Sequence, residues 1–171
     1  MTDAVSKDSF RDAMARVCAP VNIVTTNGAN GRGGFTATAV CSVTDEPPTV
    51  LVCMNANSAQ VKTFKANGRF CVNVLTNDHT GLASGFAGGI PEMEARYAAA
   101  HWVTMASGAL ALTDAIVSLD CETADIHRVG THNILIGRVT DLRLGTNKGP
   151  NALLYMDRRY MVPAQAGSFG G

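Results

Sequence analysis

The chain has 171 residues, of which 46% are hydrophobic and 16% charged, and its 14 Lys and Arg balance its 14 Asp and Glu. A chain of this length is read as one domain, which buries roughly 70% of the surface its unfolded form exposes and needs neither disulfide nor metal to fold. Zero net charge leaves no field of one sign to draw nucleic acid or an anionic membrane. The low charged fraction, against about 25% in an average soluble domain, points to a surface covered by a second subunit, a large ligand, or both.

No apolar run approaches the roughly 20 residues of a membrane span, and the opening MTDAVSKDSF lacks the basic start and apolar stretch of a signal peptide. A cytoplasmic protein is expected. Cys18, Cys41, Cys53, Cys71 and Cys121 never stand at C-x-x-C spacing and mostly sit in apolar runs such as LVCM and RFCVNV. They read as small buried hydrophobes in a reducing compartment.

In chain order, Phe10, Ala13, Met14, Val17 and Cys18 fall at i, i+3, i+4, i+7 and i+8, which predicts an amphipathic helix capped by Ser6, with Asp12 and Arg16 as an outward pair and its end before Pro20. β-like runs follow at 21–26, 34–44, 49–54 and 69–75, too closely spaced for helical crossovers, so the sheet is antiparallel. A short helix capped by Asn57 or Ser58 interrupts them and stops at Asn67-Gly68. Residues 78–100 read as loosely helical around Gly81, Gly85, Gly88, Gly89 and Pro91. Then come AIVSLDCETADIHRV, a turn at Gly130, NILIGRVTDLRL, a turn around GTNKGPN, and LLYMDRRYMV. Six or so strands, closed to hide their edges, make a single domain over 1–163, with 164–171 as a mobile tail.

The glycine cluster at 28–34 is followed by a β-alternating run, not a helix, so it reads as a hairpin loop and not a dinucleotide fingerprint. No phosphate-loop, hydrolase-elbow or zincin motif occurs, and His79, His101, His127 and His132 are scattered over different elements, so no metal site is expected. TATAVCSVTDEPP is the informative stretch. Strand alternation sends Thr36, Thr38, Ser42 and Thr44 to one face and Ala37, Ala39, Cys41 and Val43 to the other. That is either a solvent-facing strand or a groove in which hydroxyls and backbone amides meet a large polar ligand. Asn55-Ala56-Asn57-Ser58 leads into a helix start, where amides either cap or hold an anion. His132 stands at the entrance to a strand; Tyr155, Arg158, Arg159 and Tyr160 on the last strand suit a nucleotide or an interface rim.

FRDAMARVCAPVNIVTTNG, GFTATAVCSVTDEPPTVLVCMNANSA, FKANGRFCVNVL, VGTHNILIGRV and LLYMDRRY occur in an order that resembles the short-chain flavin reductases, most nearly the reductase component of two-component 4-hydroxyphenylacetate 3-monooxygenases. The resemblance runs from Phe10 to Tyr160. It implies a mainly β fold, a six-stranded antiparallel split β-barrel with a few short helices, assembled as a homodimer on FMN or FAD. Carried over, Thr36, Ala37, Thr38, Ala39, Ser42, Val43, Thr44, Cys53, Asn55 and Ser58 contact the flavin and Phe86 lies near its edge. His132 is the catalytic residue beside the nicotinamide, with Thr131 where many relatives carry Asp. Arg159 and Tyr160, by their residue types on the last strand and not by the resemblance, are assigned to the pyridine nucleotide.

The implied reaction moves a hydride from NADH or NADPH to the flavin, which needs no protein nucleophile. The reduced flavin then supplies a flavin-dependent monooxygenase component acting on an aromatic compound. The alternatives are a reductase of a corrinoid cobalt or ferric acceptor, or a non-enzymatic flavin-binding barrel.

Overall fold

The computed structural model describes residues 4–146 and 151–164. Helix α1 (Lys7–Ala15) begins where Ser6 accepts a hydrogen bond from the Ser9 amide at 3.1 Å, as the sequence predicts. Its apolar stripe lies bare: Phe10 is 59% and Met14 49% exposed, and no residue of α1 is buried. Asp12 pairs with Arg158 and not with Arg16.

The strands follow as β1 (Ala19–Pro20), β2 (Asn22–Thr26), β3 (Gly33–Ala37), β4 (Val40–Asp45) and β5 (Pro48–Asn55). After α2 (Val61–Asn67) and β6 (Arg69–Val74) comes a helical stretch: a 3-10 turn at Asn77–His79, α3 (Thr80–Ser84), a π-turn at Gly85–Gly89, and α4 (Met93–Ala98). The chain ends in β7 (Trp102–Thr104), β8 (Leu110–Leu112), β9 (Val117–Val129), β10 (His132–Leu144), β11 (Leu154–Met156) and β12 (Arg159–Met161). No helix among the described residues is long and apolar enough to cross a membrane. The tail expected over 164–171 lies, beyond Ala164, outside the described residues, as does most of the GTNKGPN turn.

The main sheet has seven strands in the order β3-β2-β6-β9-β10-β5-β4, one more than expected, every neighbour antiparallel. The extra strand arises because the run 34–44 is two strands, broken at Thr38–Ala39. They lie at opposite edges of the sheet. Three residue steps cover at most about 11 Å, so the passage from Ala37 to Val40 forces those edges together and rolls the sheet into a barrel. The Cys53 amide carries the β4–β5 ladder one residue past Val40 into this corner by donating to the Ala39 carbonyl at 3.0 Å.

Alternation along β2 feeds two cores. Val24 joins Val52, Phe64, Phe70, Val72 and Leu135 inside the barrel, while Ile23 joins Val21, Leu75, Phe86, Leu112 and Leu153 beneath the helical stretch. Asn73, fully buried, ties the second layer down: its Oδ1 accepts from the Leu112 amide and the Ser118 hydroxyl, both at 2.8 Å, and its Nδ2 donates to the Ile23 carbonyl at 3.1 Å. The Leu112 contact anchors the β7–β8 hairpin, whose three-residue strands are too short to show a period in the sequence. Cys71 and Cys121 are buried as expected, Cys53 is partly so, and Cys18 and Cys41 are exposed.

Candidate functional site

A cleft of about 480 Å³ opens where the Thr38–Ala39 step, the end of β5, the start of β10 and the π-turn converge. Its floor is buried and made of Gly34, Ala37, Met54 and Phe86; its rim is exposed and made of Ala39, Asn55, Ala59, Ala87, Gly88 and His132. The register between β10 and β5 sets His132 opposite Asn55 and Ile134 opposite Cys53. The turn before it needs a positive φ, 55° at Gly130. Thr131 Oγ1 lies 3.0 Å from His132 Nδ1.

Phe86 is held edge-on to Tyr97 at 5.4 Å between centroids and leans on Trp102 at 5.8 Å. The Tyr97 hydroxyl donates to the Gly33 carbonyl at 2.8 Å, binding the π-turn side of the cleft to β3. Gly34 lies directly beneath the Phe86 ring, where a larger residue would not fit.

The seam presents donors. Thr38 and Ala39 spend their carbonyls on the Val40 amide at 3.1 Å and the Cys53 amide at 3.0 Å, and among the described residues neither of their own amides has a backbone acceptor. Thr38 lines the cleft and Ala39 stands at its rim. Free amides of this kind stabilise negative charge that grows on a bound ring. The Cys53 thiol is pushed up by burial and by neighbouring Cys41. It stays neutral at pH 7 and offers no nucleophile.

The loop before α2 differs from expectation. Its amides are already spoken for: Ala56 donates to the Thr131 carbonyl at 3.0 Å, Asn57 to Asn55 Oδ1 at 2.9 Å, and Ser58 to the Asn55 carbonyl at 3.0 Å. The helix starts later, after Gln60, which makes no side-chain cap. With partners in this loop and in the β9–β10 turn, the amides at 56–58 have none to spare for an anion.

Of the residues singled out from the sequence, Thr36, Ala37, Thr38, Ala39, Cys53, Asn55, Ser58, Phe86 and His132 line the cleft. The Thr36 hydroxyl is engaged elsewhere, donating to the Ala83 carbonyl at 2.6 Å. Ser42, Val43 and Thr44 lie outside the cleft on exposed β4: the break at Thr38–Ala39 and the bulge between Ser42 and Thr44 end the alternation that set Ser42 and Thr44 on one face with Thr36. Arg159 and Tyr160 also lie outside it, Tyr160 meeting Tyr155 edge-on at 5.5 Å between centroids. A second groove of about 550 Å³, between α1 and Tyr155, shares Thr38 and Ala39 with the cleft.

Sequence reasoning passed over Gly34, Gln60, Ala87, Gly88 and Arg96, all of which line the cleft. Arg96 Nε donates to the Ile90 carbonyl at 2.6 Å, and its two terminal nitrogens reach the Phe86 and Pro91 carbonyls at 3.5 Å. Its one available signal was being a cation close behind a glycine-rich stretch.

Comparison with known proteins agrees with this geometry. The pattern of the flavin reductase-like domain family matches residues 14–163, and the chain belongs to that family. It is a flavin reductase, an oxidoreductase that takes a flavin and a reduced pyridine nucleotide. Among curated relatives, the FMN reductase (NADH) RutF of Agrobacterium fabrum is 52% identical over 153 residues, covering 90% of this chain and 86% of its own length. That of Serratia proteamaculans is 49% identical over 156 residues, covering 91% and 87%. Among solved structures, a Haemophilus somnus protein is 43% identical with a TM-score of 0.88 over 93% of this chain and 100% of its own. The flavin reductase PheA2 is 25% identical with a TM-score of 0.84 over 94% and 100%.

Proposed function

We propose that this reductase passes a hydride from NADH to FMN in the cleft and releases the reduced FMN to a flavin-dependent monooxygenase component. The observation that carries the reading is a buried floor under an exposed rim, with unpaired amides at Thr38 and Ala39 and no reactive nucleophile. A flat ring system settles on the floor, and the open rim admits a second ring above it and lets the first one leave. The volume falls in the range of small-molecule sites, about 300–1,000 Å³. The relatives' names, FMN reductase (NADH), support this pair of substrates.

Bound flavin supplies the ring that accepts the hydride; the chain's part is positioning and electrostatics. The amides at 38 and 39 face the negative charge as it appears. His132, at the mouth, orients the nicotinamide and supplies a proton, with Thr131 fixing its ring. Arg159 and Tyr160 reach a pyridine nucleotide only if it extends beyond the cleft of a single chain.

The bare stripe of α1 and the exposed edge strand β4, with Val43 51% exposed, support a homodimer. Free cysteines support a cytoplasmic site of action. The 4-hydroxyphenylacetate-type hydroxylase remains the acceptor suggested by the motif order. The deciding experiment is an anaerobic titration with NADH and NADPH in the presence of FMN and of FAD, followed by absorbance. Bleaching most readily with NADH and FMN is expected; no bleaching with any pair overturns the assignment. Hydroxylation of 4-hydroxyphenylacetate by its oxygenase component, supplied with flavin, NADH and this chain, tests the acceptor. Light scattering of wild type against Met14→Glu tests the dimer.

A further inference from the structure

Of the seventeen residues lining the cleft, Arg96 alone carries a permanent charge. FMN brings a phosphate and NADH a diphosphate, so either substrate delivers negative charge to a pocket with one fixed cation. The guanidinium has five N–H donors in a rigid fork. Three carbonyls, those of Ile90, Phe86 and Pro91, take one each, which leaves two without a partner among the described residues. No carboxylate among the described residues lies within 4 Å of Arg96, whereas Arg32 is paired with Glu94 and Arg158 with Asp12. The three carbonyls fix the fork without neutralising it.

We propose that Arg96 is the phosphate-binding residue of the cleft, its two remaining N–H groups gripping a phosphate of the bound nucleotide while the other three hold the π-turn wall that carries Phe86. This rests on the flavin reductase reading and adds to it the group that recognises the substrate's anion. The 56–58 loop, with its amides already taken, leaves that task to a side chain. Arginine suits it because a planar fork meets phosphate oxygens bidentately.

The test compares FMN with riboflavin, which has the same ring and no phosphate. Affinities are read from quenching of flavin fluorescence, which needs no turnover, and KM for NADH is measured separately. If Arg96 holds the flavin phosphate, Arg96→Gln weakens FMN by about tenfold to a hundredfold and leaves riboflavin unchanged. If it holds the dinucleotide diphosphate, FMN and riboflavin are unaffected and KM for NADH rises by a similar factor, which supports the proposal from its other source. Equal weakening of FMN and riboflavin, or no change in any of the three, overturns it and leaves Arg96 a brace for the π-turn.

Should Arg96→Gln not fold, the wild-type protein decides: raising salt must weaken FMN or NADH more than riboflavin, and a salt-insensitive preference overturns the proposal. Absence of NADH oxidation with any flavin refutes the functional reading instead, and the binding comparison still stands on its own.

Discussion

A Cβ built on Gly34 would sit 2.5 Å from Cε1 of Phe86. Nothing larger than hydrogen fits between the β3 backbone and that ring. Gly34→Ala is therefore expected to push Phe86 into the cleft, costing about 1–3 kcal/mol of stability and weakening flavin affinity at the same time. Thermal melts and flavin quenching measure both. Phe86→Leu in the same chain should recover part of the loss, and strict additivity of the two changes would refute the contact.

His132→Ala should slow flavin reduction about a hundredfold, the lower range for a lost proton donor, while FMN affinity stays within about twofold. Stopped-flow reduction beside equilibrium quenching separates the two. A normal reduction rate removes His132 from the chemistry.

Asn73→Ala removes, at a fully buried position, the acceptor of the Leu112 amide and the Ser118 hydroxyl and the donor to the Ile23 carbonyl. A loss of about 3 kcal/mol is expected, which lowers Tm by about 6–12 °C in a domain of this size. The β7–β8 hairpin should lose hydrogen-exchange protection first.

Alkaline pH should unfold the protein through its interior. Burial pushes the Cys121 thiol from its ordinary value of 9.0 up to about 12, with Asp120 adding to the effect, and burial raises Cys71 and Tyr97 as well. Each stays protonated in the folded chain while its unfolded counterpart ionises. Stability is thus fully present below pH 9 and falls above it, by up to about 1.4 kcal/mol per pH unit for each group. Denaturant titrations from pH 8 to 11 should show this slope, and Cys121→Ala should reduce it by nearly one proton.

Much of this architecture was legible. The helix at 7–15 announced itself through Ser6 and the Phe10, Met14 spacing, and β2, β5, β6, β9 and β10 through β-like runs bounded by Gly, Asn, Asp and Pro. The break after Ala37 was not, because Thr-Ala-Thr-Ala continues a perfect β pattern and contains no turn residue. The corner there is imposed by closure of the sheet, a contact between strands far apart in it. That corner and the bulge after it, which sets Ser42 opposite Val50 but Thr44 opposite Thr49, are why Ser42 and Thr44 do not lie together on one face. Arg96 escaped for a related reason: its meaning lies in α4 folding back on the π-turn, so that one side chain meets carbonyls at positions 86, 90 and 91. No linear period encodes that.

Thr38 and Ala39 form both the seam of the barrel and one side of the cleft. The inner hairpins, with short loops, are able to pair early, but no place for a flavin exists until the two outermost strands have met. Uptake of the yellow chromophore during refolding is therefore a clock for the final event of folding, and it should lag behind the appearance of β structure.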